Sequence, residues 1–250
     1  MSESALILLR HGESTANAAG LFTGVLDAPL SEHGIREAQA ATALLNTANL
    51  APDTVFTSTL RRSQHTADIV TAELNTPPAR SFCDWRLNER NYGALTGLSK
   101  NDVLREFGEE RFLTWRRSVD TAPPPMLDPL YNEISASPPF RELPSEALTR
   151  TESLQDVITR VSSFNEERVQ PLLAEGRSVL VIAHGNSLRA LCAVIDDLSD
   201  EAVRDLNIPT GQPLVYRFGA DLRPENVGGH YIDAATARAA ALALAHEGGT

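Results

Sequence analysis

Cysteine is nearly absent from this 250-residue chain: only Cys83 and Cys192 occur, far apart and in no CxxC pattern. That pattern does not suggest a disulfide framework or a thiolate metal site, and it fits a reducing, cytoplasmic setting. No run of eighteen apolar residues exists, so no spanning helix is expected. The N-terminus lacks a basic stretch ahead of its short apolar run, so it does not read as a secretory signal. Positive charge is in deficit, with 22 Lys and Arg against 33 Asp and Glu and a net charge of −11. A nucleic-acid partner or an anionic membrane surface would need a basic face, so neither is expected. The Walker A, GxGxxG, HExxH and EF-hand patterns are all missing. Hydrophobic residues at 42% and charged residues at 22% are ordinary globular usage, which excludes disorder of the whole chain.

What is present is an alternation of strand and helix signals. Residues 5–10 form an apolar run that stops at His11-Gly12, a buried strand. Ser31 is placed to cap a helix with Ile35, Ala38, Thr42 and Leu45 on one face. A short strand at 53–58 and a helix at about 60–74 follow, then a strand at 80–86 and a helix at about 100–117. Residues 121–148 hold Pro123, Pro124, Pro125, Pro129, Pro138, Pro139 and Pro144. This density predicts neither helix nor central strand, and the segment reads as an ordered insertion or lid. Ser153 and Asp156 form a capping box before a helix. Residues 178–183 are the strongest strand, ending at His184-Gly185-Asn186 ahead of another helix. A last strand at 213–218 and an Ala-rich helix at about 234–246 complete the pattern. It predicts one α/β domain over 1–250: a three-layer fold with a mainly parallel central sheet flanked by helices, the Pro-rich insertion, and a C-terminal tail from 234.

Two strands therefore end in His-Gly. In open α/β sheets ligands bind beyond the carboxyl ends of strands, so the repetition would place two imidazoles in one crevice. Arg10, Arg61, Arg62, Lys100, Arg116 and Arg117 supply cations at neighbouring positions. Guanidinium groups suit phosphate and carboxylate oxygens, and clustering them makes sense when an anion joins them. The plain alternative is two loop histidines and scattered surface arginines, each paired with an acid. Adjacent helical residues point about 100° apart, so Arg116 and Arg117 can share a ligand only with help from the backbone. Glu89 lies between a strand and a Gly turn, either as a surface carboxylate or as a buried acid. HGNSLR at 184–189 has the strand-to-helix setting of a nucleophile elbow, with Asp196, Asp197 and His230 downstream, but the last glycine of GxSxG is missing. His33, His65, His230 and His246 have no ligand-like spacing and read as structural or exposed. Trp85, Trp115 and Phe107 read as core.

The run LLRHGES at 8–14 resembles the signature segment of the histidine phosphatase superfamily. LFTG at 21–24, LNERNYGALTGLSK at 87–100, WRRS at 115–118, PPP at 123–125, AHGNSLRAL at 183–191 and NIPTGQPLVY at 207–216 extend the likeness. In that order, from about residue 5 to 245, they resemble the cofactor-dependent phosphoglycerate mutases. The resemblance implies interconversion of 3-phosphoglycerate and 2-phosphoglycerate, with 2,3-bisphosphoglycerate as the priming phosphoryl donor and no metal. It implies His11 as the nucleophile, His184 as a donor to the phosphoryl oxygens, and Glu89 as general acid and base. Arg10 and Arg62, with Asn17, Gly185 and Asn186, would hold the phosphoryl group. Thr23 and Gly24 would add local hydrogen bonds. Tyr92, Lys100, Arg116 and Arg117 would grip the rest of the substrate. Partners are small phosphoglycerates, and family habit makes a homo-oligomer, dimer or tetramer, the expectation. A phosphomonoesterase using the same His11 is the nearest rival, followed by a non-catalytic phosphometabolite-binding protein and a serine hydrolase.

Three features depart from the family pattern. Asn91 stands where histidine is common, Leu130 replaces the arginine of a DPRY segment, and no lysine or arginine follows Arg238. In such enzymes the C-terminal segment covers the site and restrains loss of the phosphoryl group to water. If the tail has that role, truncation after Ala234 raises the phosphatase rate relative to the mutase rate. An unchanged ratio of the two rates would show that it does not.

Overall fold

In the computed structural model, residues 4–219 and 221–246 are described. Strand β1 (Ser4–Arg10) is followed by a short helix α1 (Thr15–Ala18) and by α2 (Glu32–Thr47). Next come β2 (Thr54–Thr57), α3 (Arg61–Glu73), β3 (Arg80–Cys83) and α4 (Lys100–Arg117). The second half runs α5 (Asp128–Ser135), α6 (Leu154–Phe164), α7 (Gln170–Ala174), β4 (Val179–Ala183) and α8 (Gly185–Asp196). It ends with α9 (Asp200–Asp205), β5 (Leu214–Phe218), β6 (His230–Tyr231) and α10 (Ala234–His246).

The six strands form one sheet in the order β3-β2-β4-β1-β5-β6. The first four run parallel, and β5 and β6 add antiparallel partners at one side. Alternate strand residues feed two cores, because successive side chains point to opposite faces. Leu6, Leu8, Phe56, Val179, Val181 and Tyr216 pack with Leu154, Val157, Val161, Leu188 and Leu191 of α6 and α8. Ile7, Leu9, Val55, Leu180, Ile182 and Val215 pack with Ala41, Leu45, Ala67 and Val70 of α2 and α3. The expected three layers and mainly parallel sheet are both present.

Side-chain caps set the helix starts. Ser31 Oγ accepts from Gly34 N at 3.1 Å, and the Ser153–Asp156 capping box is made in both directions. Helix α3 starts without a cap from its own N-terminal neighbour; Asp27 Oδ1 accepts from Arg61 N at 2.7 Å instead. Helix α4 is interrupted at Gly108, whose φ of +79° is left-handed.

The Pro-rich stretch corrects the sequence reading, because it contains α5. Pro129 lies in the first turn of that helix, where its missing N–H bonds nothing and its fixed φ suits the start. Met126, Ile134, Phe140 and Leu148 close over Val25 and Leu60 in a small core of their own, with Leu130 packed at its margin. Asn91 ties this stretch to the 87–95 loop: its Nδ2 donates to Thr149 O at 2.6 Å, and its N–H to Glu152 Oε2 at 2.8 Å. Trp85, Trp115 and Phe107 are half-buried rather than core. His33, His65 and His230 are exposed, and the side chain of His246 lies outside the described residues.

One contact fixes the loop after β1. A methyl group on Gly34 would lie 2.1 Å from Glu13 O, and one on Gly12 would lie 2.1 Å from Gly34 O. The two backbones can approach so closely only as glycines. Gly34→Ala should therefore cost about 1–3 kcal/mol, the usual range for overpacking. Urea unfolding should show a lower midpoint at unchanged slope, and an unchanged midpoint would mean that the loop yields without cost.

Candidate active site

Parallel register builds the site. Arg10 pairs with Ala183 and Thr57 with Ile182, so the residues that follow β1, β4 and β2 emerge side by side. These residues are His11, His184 and Ser58. The two imidazole centroids lie 4.8 Å apart at 62°. A cavity beyond the strand ends is lined by Arg10, His11, Asn17, Leu21, Phe22, Thr23, Gly24, Arg62, Glu89, Tyr92 and Lys100.

The His11 tautomer follows from its partners. Nδ1 lies 2.6 Å from Gly12 O, and a carbonyl only accepts, so Nδ1 carries the hydrogen. Nε2 is then bare, and it accepts from Arg62 Nε at 3.2 Å. Burial, then Arg62, then Arg10 hold the His11 pKa well below its ordinary 6.5, outweighing the bond to Gly12 O. His184 is held well below 6.5 by burial first, then by Arg62, His11 and Arg10. Its Nε2 lies 2.7 Å from Ser58 Oγ, while its buried Nδ1 has no hydrogen-bond partner among the described residues.

The guanidinium groups are anchored mainly by backbone. Arg62 donates to Gly24 O at 2.8 Å and to Leu26 O at 2.6 Å, and burial brings its pKa down to about 10. Arg10 Nη1 donates to Ile208 O at 2.9 Å. Arg90 donates to Trp115 O and covers the Tyr92 ring, 4.6 Å from its centroid. Glu89 Oε1 accepts from Arg90 N at 2.7 Å and from Asn186 N, in the first turn of α8, at 3.2 Å. Asn186 Nδ2 donates to Tyr92 Oη at 3.0 Å.

Nine of the fourteen residues singled out from sequence therefore line one cavity. His184, Gly185 and Asn186 stand behind it. Arg116 is fully buried, with its guanidinium over the Phe22 and Phe112 rings. Arg117 donates to Arg204 O at 3.0 Å and Asn207 Oδ1 at 2.7 Å, and it lines a second cavity with Leu113, Val119, Asp200 and Arg204. The structure does not bring Arg116 and Arg117 together on the main cavity, as their 100° separation on α4 anticipates. Asn17 Oδ1 is engaged in the α1 capping box, and the buried Thr23 Oγ1 has no partner among the described residues. Sequence reasoning passed over Ser58, Arg90 and Arg189. Ser58 had a usable signal, since it follows a strand just as His11 and His184 do.

The serine-hydrolase arrangement does not form. Among the described residues Ser187 Oγ bonds the backbone of His184, and Asp196 accepts from Tyr216 Oη at 2.7 Å and Gly228 N at 3.1 Å. His230 lies on β6, where it is exposed.

Comparison with known proteins agrees with this geometry. The chain matches the histidine phosphatase superfamily (branch 1) over residues 6–135 and 128–222. It is 48% identical over 243 residues to a 2,3-bisphosphoglycerate-dependent phosphoglycerate mutase of Clavibacter sepedonicus, covering 97% of this chain and 96% of that one. It is 46% identical to the protein of the same description from Thermobifida fusca, covering 98% and 99%. Among solved structures it resembles a mycobacterial glucosyl-3-phosphoglycerate phosphatase, with a TM-score of 0.68, 24% identity and coverage of 91% and 100%. That last likeness speaks for the fold alone.

Both histidines have folded-state pKa values below the unfolded 6.5. Above pH 6.5 their burial therefore carries no ionisation penalty. Stability falls as pH drops from there toward the folded values, by up to about 1.4 kcal/mol per pH unit for each histidine. Proton NMR should show both imidazoles still neutral at pH 6, and a midpoint near 6.5 for either would contradict this.

Proposed function

The chain belongs to the histidine phosphatase superfamily and, within it, to the 2,3-bisphosphoglycerate-dependent phosphoglycerate mutases, and from that premise we infer that it interconverts 3-phosphoglycerate and 2-phosphoglycerate. The observation that carries the chemistry is a neutral His11 with a bare Nε2 beside Arg62. In our reading Nε2 attacks phosphorus as the P–O bond breaks, and Nδ1–H remains on Gly12 O. Phosphoryl transfer spreads charge over three equatorial oxygens, so the protein's work is positioning and charge stabilisation. Arg10 and Arg62 take those oxygens, and His184 donates to one of them. Asn17, Thr23, Gly24, Gly185 and Asn186 complete the phosphoryl cradle.

Glu89 gives a proton to the leaving hydroxyl oxygen and takes one from the attacking hydroxyl. What supports this is its place on the cavity wall with Oε1 already fixed by two backbone N–H groups. Tyr92 and Lys100 hold the rest of the substrate. Arg116 and Arg117 stand one layer back, and we assign them to the substrate grip through Phe22 and the 203–208 segment. The donor set fits a doubly phosphorylated ligand: guanidinium groups, a lysine, and the unpartnered Thr23 Oγ1 and His184 Nδ1. When bound, 2,3-bisphosphoglycerate supplies the phosphoryl group that primes His11. Guanidinium and imidazole groups stand where a metal would otherwise neutralise charge, so we take the reaction to be metal-independent. The same proposal makes the enzyme a cytoplasmic one of glycolysis and gluconeogenesis and a homo-oligomer, dimer or tetramer.

Phosphorus NMR with 3-phosphoglycerate and a chelator tests the proposal. We expect 2-phosphoglycerate, with strong stimulation by a trace of 2,3-bisphosphoglycerate and no product from His11→Ala. Glu89→Gln should lower kcat by about 10²–10⁴-fold, the usual weight of a general acid and base. Release of inorganic phosphate alone would replace the mutase by a phosphomonoesterase.

A further inference from the structure

Arg189 is fully buried on α8, one turn beyond Asn186. Its Nη1 donates to Asn186 Oδ1 at 3.0 Å. Nη2 donates to Val203 O at 2.6 Å and Arg204 O at 3.3 Å, and Nε to Val203 O at 3.3 Å. None of these partners is a carboxylate. They are an amide and carbonyls of the last turn of α9, the negative end of its dipole. A well-packed apolar side chain would fill the same volume without the cost of burying a charge. A cation at this position therefore calls for a reason beyond packing.

We propose that Arg189 is a positioning residue for the substrate: by holding Asn186 Oδ1 it turns the amide nitrogen toward Tyr92 and commits the Tyr92 hydroxyl to donate into the cavity. This rests on the mutase reading of the site. An asparagine amide has two orientations of nearly equal shape and opposite polarity. Guanidinium only donates, so Oδ1 must face Arg189, and Nδ2 then faces Tyr92 Oη, 3.0 Å away. The hydroxyl accepts that bond, which leaves its own hydrogen for another acceptor. Tyr92 lines the same cavity as His11 and Glu89, and Arg90 lies against its ring. Phosphate and carboxylate oxygens of a phosphoglycerate are such acceptors. Without Arg189 the amide can flip, and Tyr92 then donates to Oδ1 instead of to the substrate.

The test measures the Kd for 3-phosphoglycerate by calorimetry and turnover separately, for Arg189→Met in the wild-type and Tyr92→Phe backgrounds. We expect Kd to rise about tenfold in the first background and by less than about twofold in the second, because the two residues act as one unit. Turnover at saturation should change by less than about threefold. The same rise in both backgrounds, or no rise in the first, would overturn the proposal. Should Arg189→Met fail to fold, Arg189→Leu serves in the same two backgrounds: it too removes every donor to Asn186 Oδ1. It should raise Kd equally and only when Tyr92 is present, and any other pattern overturns the proposal. Wild-type protein that binds 3-phosphoglycerate yet makes no 2-phosphoglycerate would contradict the mutase reading and leave the Kd comparison decisive for Arg189.

Discussion

A neutral imidazole packed against guanidinium groups is the constraint on which this site depends. In the mechanism we propose, His11 must keep a lone pair on Nε2 to attack phosphorus, yet the oxygens of that phosphoryl group require positive charge close by. Burial and the field of Arg62 and Arg10 reconcile the two demands, since both disfavour a second positive charge on the ring. The bonds that hold Arg62, Arg90 and Arg189 go to carbonyl and amide oxygens and to an imidazole nitrogen. A carboxylate in those places would anchor the arginines equally well. It would also cancel the charge that, in the proposed mechanism, meets a phosphorylated substrate.

The fold serves this arrangement by register. Three neighbouring parallel strands end within one residue of each other, so Ser58, His184 and His11 form a row that no single loop could hold as firmly. Gly12 and Gly34 let α2 press against the backbone behind His11. The N-terminus of α8 presents the Asn186 N–H to Glu89, and the carbonyl end of α9 with the residues after it receives Arg189, Arg117 and Arg10. The 203–208 segment thus fixes arginines from three different elements without contributing a side chain to the main cavity.

Much of this was legible in the sequence because it follows local rules. The apolar runs ending in His-Gly gave both the sheet and the two imidazoles, and Ser31 and Ser153 marked helix starts by their capping chemistry. The reading failed where context overrides composition. Seven prolines suggested no helix at 121–148, but a proline in a first turn costs nothing, so α5 forms. For Arg116 and Arg117 the 100° separation was legible, but not the outcome that one lies beneath Phe22 and the other reaches the end of α9. Arg189 carried no signal, because its partners are carbonyls of an element whose nearness only the tertiary structure reveals. Ser58 did carry a signal, its place directly after a strand, but its meaning depends on which strand lies beside β4.

The most direct test of the account is the position of the phosphoryl group on the primed enzyme. Nδ1 is committed to Gly12 O, so protein labelled with nitrogen-15 and phosphorylated by 2,3-bisphosphoglycerate should show phosphorus–nitrogen coupling at Nε2 of His11. A phosphoryl group on Nδ1, or on any residue other than His11, would contradict it.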